Sequence, residues 1–457
     1  MNMKREHFSS RLGFILITAA CSIGLGNIWC FPYITGKYGG ASFVVLYLIF
    51  LVILGLPIVV MEFAVGRASQ RSTALSLNLL EPKGTKWHWF KYATITGNYL
   101  LMMFYTVISG WLLYYFVEMA KGRFQGLTSH EVANVFLNLQ GNPTAMILCT
   151  AVVIIISFGI CSIGLQKGVE RVTKVMMTLL FGLLIVLAVR SVTLPNAENG
   201  LHYYLYPDFR TMQKIGLSEC IFAAMGQAFF TLSIGIGTLS VFGSRIDKSH
   251  SLTSNALYMG VLDTVVALLA GLIIFPACFS FGVEPDSGPN LLFITLPNIF
   301  NVMNEGRIWG TLFFLFMVFA AISTVIAVIE NIITYMMDAT GWSRKKSALI
   351  NFGLLSVLSL PCIFGFNLWS SFQPLGDGST ILDLEDFILS NNLLPLGSLV
   401  FLLFCTRRYG WGWDNFYKET LIGKGLPYPK FARKYISYIL PIIVLIIFIS
   451  GYLSLFQ

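Results

Sequence analysis

Ser22-Ile23-Gly24-Leu25-Gly26-Asn27 interrupts a long apolar segment that runs from Leu12 to about Tyr33. Nearly the same hexapeptide, Ser233-Ile234-Gly235-Ile236-Gly237-Thr238, interrupts another, from about Leu217 to Phe242. Two glycines and two polar side chains in so short a stretch weaken a helix, and hydrocarbon supplies no water to replace the lost backbone partners. A single stretch of this kind reads as a small-residue packing face between helices. Two copies at matching places in the two halves of a chain, each beside buried hydroxyls, point instead to paired interrupted helices around a binding site near the middle of a bilayer.

The composition agrees: 56% of the residues are hydrophobic and 11% charged, against roughly a quarter charged in soluble domains. The chain is therefore expected to be an all-α integral membrane protein. Apolar stretches long enough to cross hydrocarbon, about 20 residues each, fall near 11–36, 41–67, 89–119, 144–162, 167–193, 217–243, 254–282, 305–338, 346–365, 380–406 and 434–456. That makes eleven spans in one transmembrane domain, 1–457. The first is too long for a cleavable signal and lacks a small-residue cleavage site. Positive charge gathers in every second loop: Lys4, Arg5 and Arg11; Arg67 to Lys91; Lys167 to Lys174; Arg245 and Lys248; Arg344 to Lys346; Arg407 to Lys434. The positive-inside rule then places the N-terminus in the cytoplasm and, with an odd number of spans, Gln457 outside. The basic balance is thus a topology signal and not one for nucleic acid. With this orientation the two interrupted spans run in opposite directions, as in two inverted five-helix repeats, about 11–193 and 217–406, with helices 1 and 6 discontinuous and one extra helix at about 434–456. The outer stretch Gly282 to Gly306, with Gly288-Pro289 and Phe293-Ile294-Thr295-Leu296-Pro297, is long enough for a re-entrant lid.

An unwound turn frees carbonyls that a cation can occupy and N–H groups that favour an anion. A zwitterionic amino acid beside a hard cation such as Na⁺ uses both kinds. The supporting polar residues are Thr231 and Ser233 in the sixth span, Ser323 and Thr324 in the eighth, Asp263 in the seventh and Glu62 near the end of the second. An ionised carboxylate at mid-span costs roughly 2.5–3.5 kcal/mol, so Asp263 calls for a partner, and a cation or a hydrogen-bonded protonated state would provide one. Ser323 and Thr324 have an alternative of their own, bonding back to their helix carbonyls. The eight cysteines show neither a disulfide framework nor a metal spacing. The five histidines lie in or near loops without clustering, and no phosphate-binding GxxxxGK[ST] loop is present. An enzyme and an ATP-driven pump are accordingly not expected.

Several motifs carry a family resemblance that covers essentially the whole chain. They include Lys4-Arg5-Glu6-His7 before Ser10-Arg11-Leu12-Gly13-Phe14, Gly24-Leu25-Gly26-Asn27-Ile28-Trp29, Phe31-Pro32-Tyr33, Glu62 with Gly66-Arg67, Gln166-Lys167-Gly168-Val169-Glu170, and Gly226-Gln227-Ala228-Phe229-Phe230-Thr231-Leu232-Ser233. The chain resembles the bacterial members of the neurotransmitter:sodium symporter family. The resemblance implies a symporter of the bacterial inner membrane that imports a neutral L-amino acid with two sodium ions. It implies a first sodium site at Ser22, Asn27, Thr231 and Asp263, and a second at Ala20, Ile23, Ala320, Ser323 and Thr324. It places the substrate among Cys21, Ser22, Leu25 and Gly26 of the first span and Leu101 and Tyr105 of the third. Phe230, Thr231, Ser233 and Ile236 of the sixth span and Thr324 and Val328 of the eighth complete that pocket. Tyr105 would hold the substrate carboxylate and, with Phe230, close the outer gate; Arg5 and Asp338 would pair on the cytoplasmic side.

The departures from the family pattern are informative. Gly24 stands where monoamine carriers have an aspartate, which argues for a substrate with its own carboxylate. Ile236 stands where relatives resembling leucine and alanine carriers have a narrowing phenylalanine, which favours a bulky hydrophobic or aromatic side chain. Asp263 in place of the frequent asparagine, with Ala267 one turn on, predicts transport without a chloride requirement. Asp386 lacks its usual arginine, because that position is Cys30. Two other readings fit the same architecture: a proton-coupled amino-acid carrier, for which the apolar body of the fifth span offers no lysine, and an amino-acid sensor that does not transport.

Overall fold

The computed structural model describes residues 6–283 and 290–453. Within them the chain is helical, and the only extended pairing is an isolated bridge between His250 and Lys424. The helices that matter here are α1 (Arg11–Ser22), α2 (Gly26–Lys37), α3 (Ala41–Ser69), α4 (Trp87–Lys121), α5 (Pro143–Ile163) and α6 (Leu165–Val192), followed by α7 (Leu217–Thr231), α8 (Thr238–Gly243), α9 (Leu252–Ser280) and α10 (Leu291–Val302). The last four are α11 (Gly306–Thr340), α12 (Arg344–Phe364), α13 (Ile381–Thr406) and α14 (Lys430–Tyr452).

Both interrupted segments are broken where the glycines fall. The hydroxyl of Ser10 caps α1 by accepting from the Gly13 N–H at 3.1 Å. The helix ends at Ile23, whose ψ of 98° is extended. It resumes as α2, bent by 57°, through a π-helical turn at Gly26–Cys30 with Pro32 in the first turn of the α-helical part. The second break is longer. Between α7 and α8 the chain runs through residues 232–237 without helix, with Ser233, Gly235 and Gly237 at φ of 51°, 99° and 74°. Glycine enters that left-handed region at no steric cost, whereas serine does not.

Among the described residues, nine helices are long and apolar enough to cross a membrane, and ten if α1 and α2 count as one bent span. The sixth expected span, 217–243, is present only as α7 and α8, neither of which is long enough to cross alone. The remaining boundaries lie within a few residues of those read from hydropathy. In the stretch expected to form a lid, α10 stacks Phe293 on Phe136 with ring centres 4.8 Å apart, and the Tyr115 hydroxyl donates to the Phe293 carbonyl at 2.8 Å. It is packed into the aromatic core beside α4 and lines none of the cavities described below. Gly288 and Pro289 of that stretch, Arg5 and Gln457 lie outside the described residues.

Helix α11 is buried along most of its length against α4, α6, α1 and α5, while α14 lies at the periphery against α13. Helix α1 packs against α11, α9 and α6, and α8 against α3, so both breaks are held inside the bundle. Large apolar side chains such as Leu148, Ile155, Ile185 and Val189 are exposed, as on a surface that lipid covers.

Candidate functional site

A small cavity of about 30 Å³ lies between the two breaks. Its polar end is Ser22, Gly24, Tyr105, Ser233 and Thr324; its apolar end is Leu101, Ile236, Leu389 and Leu394. All the residues expected to surround the substrate line it except Thr231 and Val328. Thr231 turns its hydroxyl to Asp263 Oδ2 instead, at 3.1 Å. Val328 lies one turn beyond Thr324 on α11 and is 1% exposed in packing. Gly24, Leu389 and Leu394 join the lining. A Cβ on Gly24 would collide with the Tyr105 hydroxyl and stand 2.9 Å from Thr324 Oγ1, so close approach requires a glycine there. The Tyr105 oxygen accepts from the Leu25 N–H at 3.1 Å, which leaves its own proton for an acceptor in the cavity.

Oxygen atoms converge on either side of the cavity. Thr324 Oγ1 lies 2.9 Å from the Ala20 carbonyl, 3.0 Å from that of Ile23 and 3.2 Å from that of Ala320. Ser323 Oγ donates to the same Ala320 carbonyl at 2.9 Å. A hydroxyl has one proton and cannot fully satisfy three carbonyls at once. Back-bonding and the bridge to the broken helix therefore coexist, and the cluster retains lone pairs suited to a hard cation. In the second cluster, Asn27 Oδ1 accepts from the Gly24 N–H at 3.2 Å, and Asn27 Nδ2 donates to Thr231 Oγ1 at 3.0 Å and to the Asp263 carbonyl at 3.2 Å. Asp263 is fully buried, and its Oδ1 accepts no hydrogen bond of good geometry among the described residues, although Ser22 and the Tyr47 hydroxyl lie beside the carboxylate. An orphaned carboxylate oxygen in such surroundings is costly unless something positive or a proton-bearing group meets it. This donor set also fits a monovalent cation.

The second break is satisfied differently. Glu62 Oε1 of α3 accepts from the Gly235 N–H at 2.6 Å, and Asn98 Nδ2 of α4 donates to the Ile236 carbonyl at 3.0 Å. Asn98 Oδ1 in turn accepts from Thr238 at 3.0 Å and from Asn331 at 2.6 Å. Across the cavity, Gln227 Nε2 donates to the Gly26 carbonyl at 2.9 Å.

Phe230 forms a shared wall. It lines this cavity and also a vestibule of about 630 Å³ that contains Cys30, Gln227, Asp386 and Ser390. A Cβ on Gly26 would touch the Phe230 ring at 3.0 Å. Asp386, left without a role by the sequence, accepts from Ser390 Oγ at 2.7 Å and faces Cys30 across this vestibule. On the opposite face a cavity of about 560 Å³ is lined by His7, Arg11, Arg245, Asp247 and Lys248 among others. There the Ser249 N–H beside Asp247 holds that carboxyl below its ordinary range. Asp338 accepts from the Ser72 N–H at 2.7 Å and lies 3.6 Å from Arg71; its expected partner Arg5 is outside the described residues.

One buried charge cluster escaped the sequence reading. Glu330 of α11 is paired with Arg245 at 2.7 Å and with Arg344 at 2.6 Å. Arg245, counted above as a loop charge, is 3% exposed. Glu330 lies inside an apolar span, so the rule that singles out Asp263 applies to it equally. Arg67, also counted with the loop charges, is fully buried and pairs with Glu419 at 2.5 Å.

Comparison with known proteins gives concordant matches. A family model described as the sodium:neurotransmitter symporter family matches residues 5–126 and 137–456. An uncharacterized sodium-dependent transporter of Bacillus subtilis (strain 168) is 32% identical over 456 residues, covering 98% of each chain. One of Haemophilus influenzae is 33% identical over 463 residues, covering 98% of this chain and 99% of the other. The solved structure of MhsT in complex with L-phenylalanine superposes with a TM-score of 0.87 at 36% identity, covering 98% of this chain and 100% of that one.

Proposed function

This chain belongs to the sodium:neurotransmitter symporter family, and we propose that it imports a neutral, bulky hydrophobic or aromatic L-amino acid together with two sodium ions. It is a sodium-dependent, multi-pass membrane transporter and not an enzyme. The observation that carries the finer reading is the pair of oxygen clusters flanking one cavity: three carbonyls around Thr324, and Asn27, Thr231 and the orphaned oxygen of Asp263. Two cations held there would stand on either side of a zwitterion whose carboxylate meets the Tyr105 hydroxyl. The apolar end at Leu101, Ile236, Leu389 and Leu394 receives the substrate side chain. The L-phenylalanine in complex with MhsT is an amino acid of this kind.

Alternating access follows from two inverted repeats, 11–193 and 217–406, that rock about the site in a bacterial plasma membrane, with the N-terminus in the cytoplasm. Phe230 separates the cavity from the vestibule. The driving force suffices: each ion gains about 2.3 kcal/mol from 100 mV and about 1.4 kcal/mol from a tenfold gradient. Two ions supply about 7 kcal/mol, enough for about 10⁵-fold accumulation.

The test is uptake of labelled amino acids into proteoliposomes, with the twenty amino acids as competitors. Uptake should require an inward sodium gradient and should be competed best by Phe, Trp, Tyr or Leu. Uptake driven equally well by a proton gradient in sodium-free buffer would overturn the reading. Because Asp263 supplies a fixed negative charge beside the first cation, uptake should be undiminished when gluconate replaces chloride. A strong chloride requirement would remove that role from Asp263.

A further inference from the structure

Residues Ile388–Leu393 of α13 form a π-helical turn, and its side chains are distributed in a way an α-helix does not allow. In an α-helix, residues five apart point about 140° away from each other. A π turn closes its hydrogen bonds at i→i+5 and brings them back to one side. Leu389 and Leu394 are five apart, 1% and 3% exposed, and both line the cavity between the breaks. Ser390 and Asn391, between them, line the vestibule on the other side.

The turn is clamped from both directions. Behind it, Asn391 Nδ2 donates to the Gly451 carbonyl of α14 at 3.2 Å, and the Tyr452 hydroxyl donates to Asn392 Oδ1 at 2.5 Å. In front, Gly235 of the second break rests on the Leu394 main chain. A Cβ on Gly235 would collide with the Leu394 carbonyl, and one on Gly397 with the Gly235 carbonyl. Leu394 therefore has no room to retreat.

We infer that this clamped π turn is the selectivity wall of the site, with Leu389 and Leu394 as the residues that limit how large a substrate side chain is accepted. The inference rests on the reading that the cavity holds the side chain of an amino acid. Leucine to alanine removes three carbons at the closed end, and a pocket discriminates about tenfold or more for each methylene that fits or fails to fit.

The experiment uses the full chain in proteoliposomes and measures the ratio of half-inhibitory concentrations of tryptophan and valine against a labelled amino acid that the unaltered chain transports. Leu389→Ala and Leu394→Ala should each shift that ratio at least tenfold in favour of tryptophan. Leu389→Phe and Leu394→Phe should shift it the other way, and they carry the test if the alanine variants do not survive purification. Leu396→Ala, on the same helix but 37% exposed and away from the cavity, should leave the ratio within twofold. Unchanged ratios in the alanine and phenylalanine variants of a chain that does transport would overturn the selectivity wall alone. A chain that transports none of the twenty amino acids would overturn the substrate reading, and this inference with it.

Discussion

The two breaks come from nearly the same hexapeptide but do different work. At the first, three residues separate α1 from α2, and the freed carbonyls of Ala20 and Ile23 gather around a single hydroxyl from α11. At the second, six residues separate α7 from α8, and the protein itself answers the freed groups, with Glu62 at the Gly235 N–H and Asn98 at the Ile236 carbonyl. The first break is left short of donors, so it suits an exchangeable cation. The second meets protein side chains at two of its freed groups, which hold it as a piece of wall. A repeated sequence sets where helices part; the neighbours decide whether the parted ends are offered to a ligand or sealed.

Substitutions can break or sharpen this contrast. The largest effect is expected at Asp263, whose carboxylate completes the ion side: Asp263→Ala should lower sodium-driven uptake at least about a hundredfold, a loss of about 3 kcal/mol, while the melting temperature in detergent holds. Thr324→Val keeps the shape but removes the hydroxyl among the carbonyls. It should lower apparent sodium affinity about tenfold, read from the sodium dependence of uptake. Glu62→Ala addresses the sealed break. It strands the Gly235 N–H at a cost of about 1–3 kcal/mol, which a lower melting temperature would register with apparent sodium affinity within twofold. A strong sodium phenotype there would erase the distinction between the two breaks. The smallest effect is at Ser233, whose φ of 51° is costly for a side-chain-bearing residue and whose bond to the Cys21 carbonyl is long at 3.4 Å. Ser233→Gly should raise stability by up to about 1 kcal/mol, detectable as a small rise in melting temperature.

Most of the span boundaries were legible because hydrocarbon permits little but apolar helix, and both breaks were legible because glycine pairs are conspicuous inside it. The lengths of the breaks were not, since they depend on Glu62 and Asn98, which belong to other helices. Leu389 and Leu394 were hidden because a π turn has no compositional mark and leucines in an apolar span look alike. Glu330 was in plain view, an acid among apolar residues, and was passed over because its partners Arg245 and Arg344 read as loop charges. Thr231 was placed on the substrate and the ion at once; packing gives its hydroxyl to Asp263.

Gly235 and Gly397 touch backbone to backbone, with no side chain interposed. Two main chains in such contact have no compressible padding between them. A tilt of the second broken helix would therefore press directly on the backbone of α13.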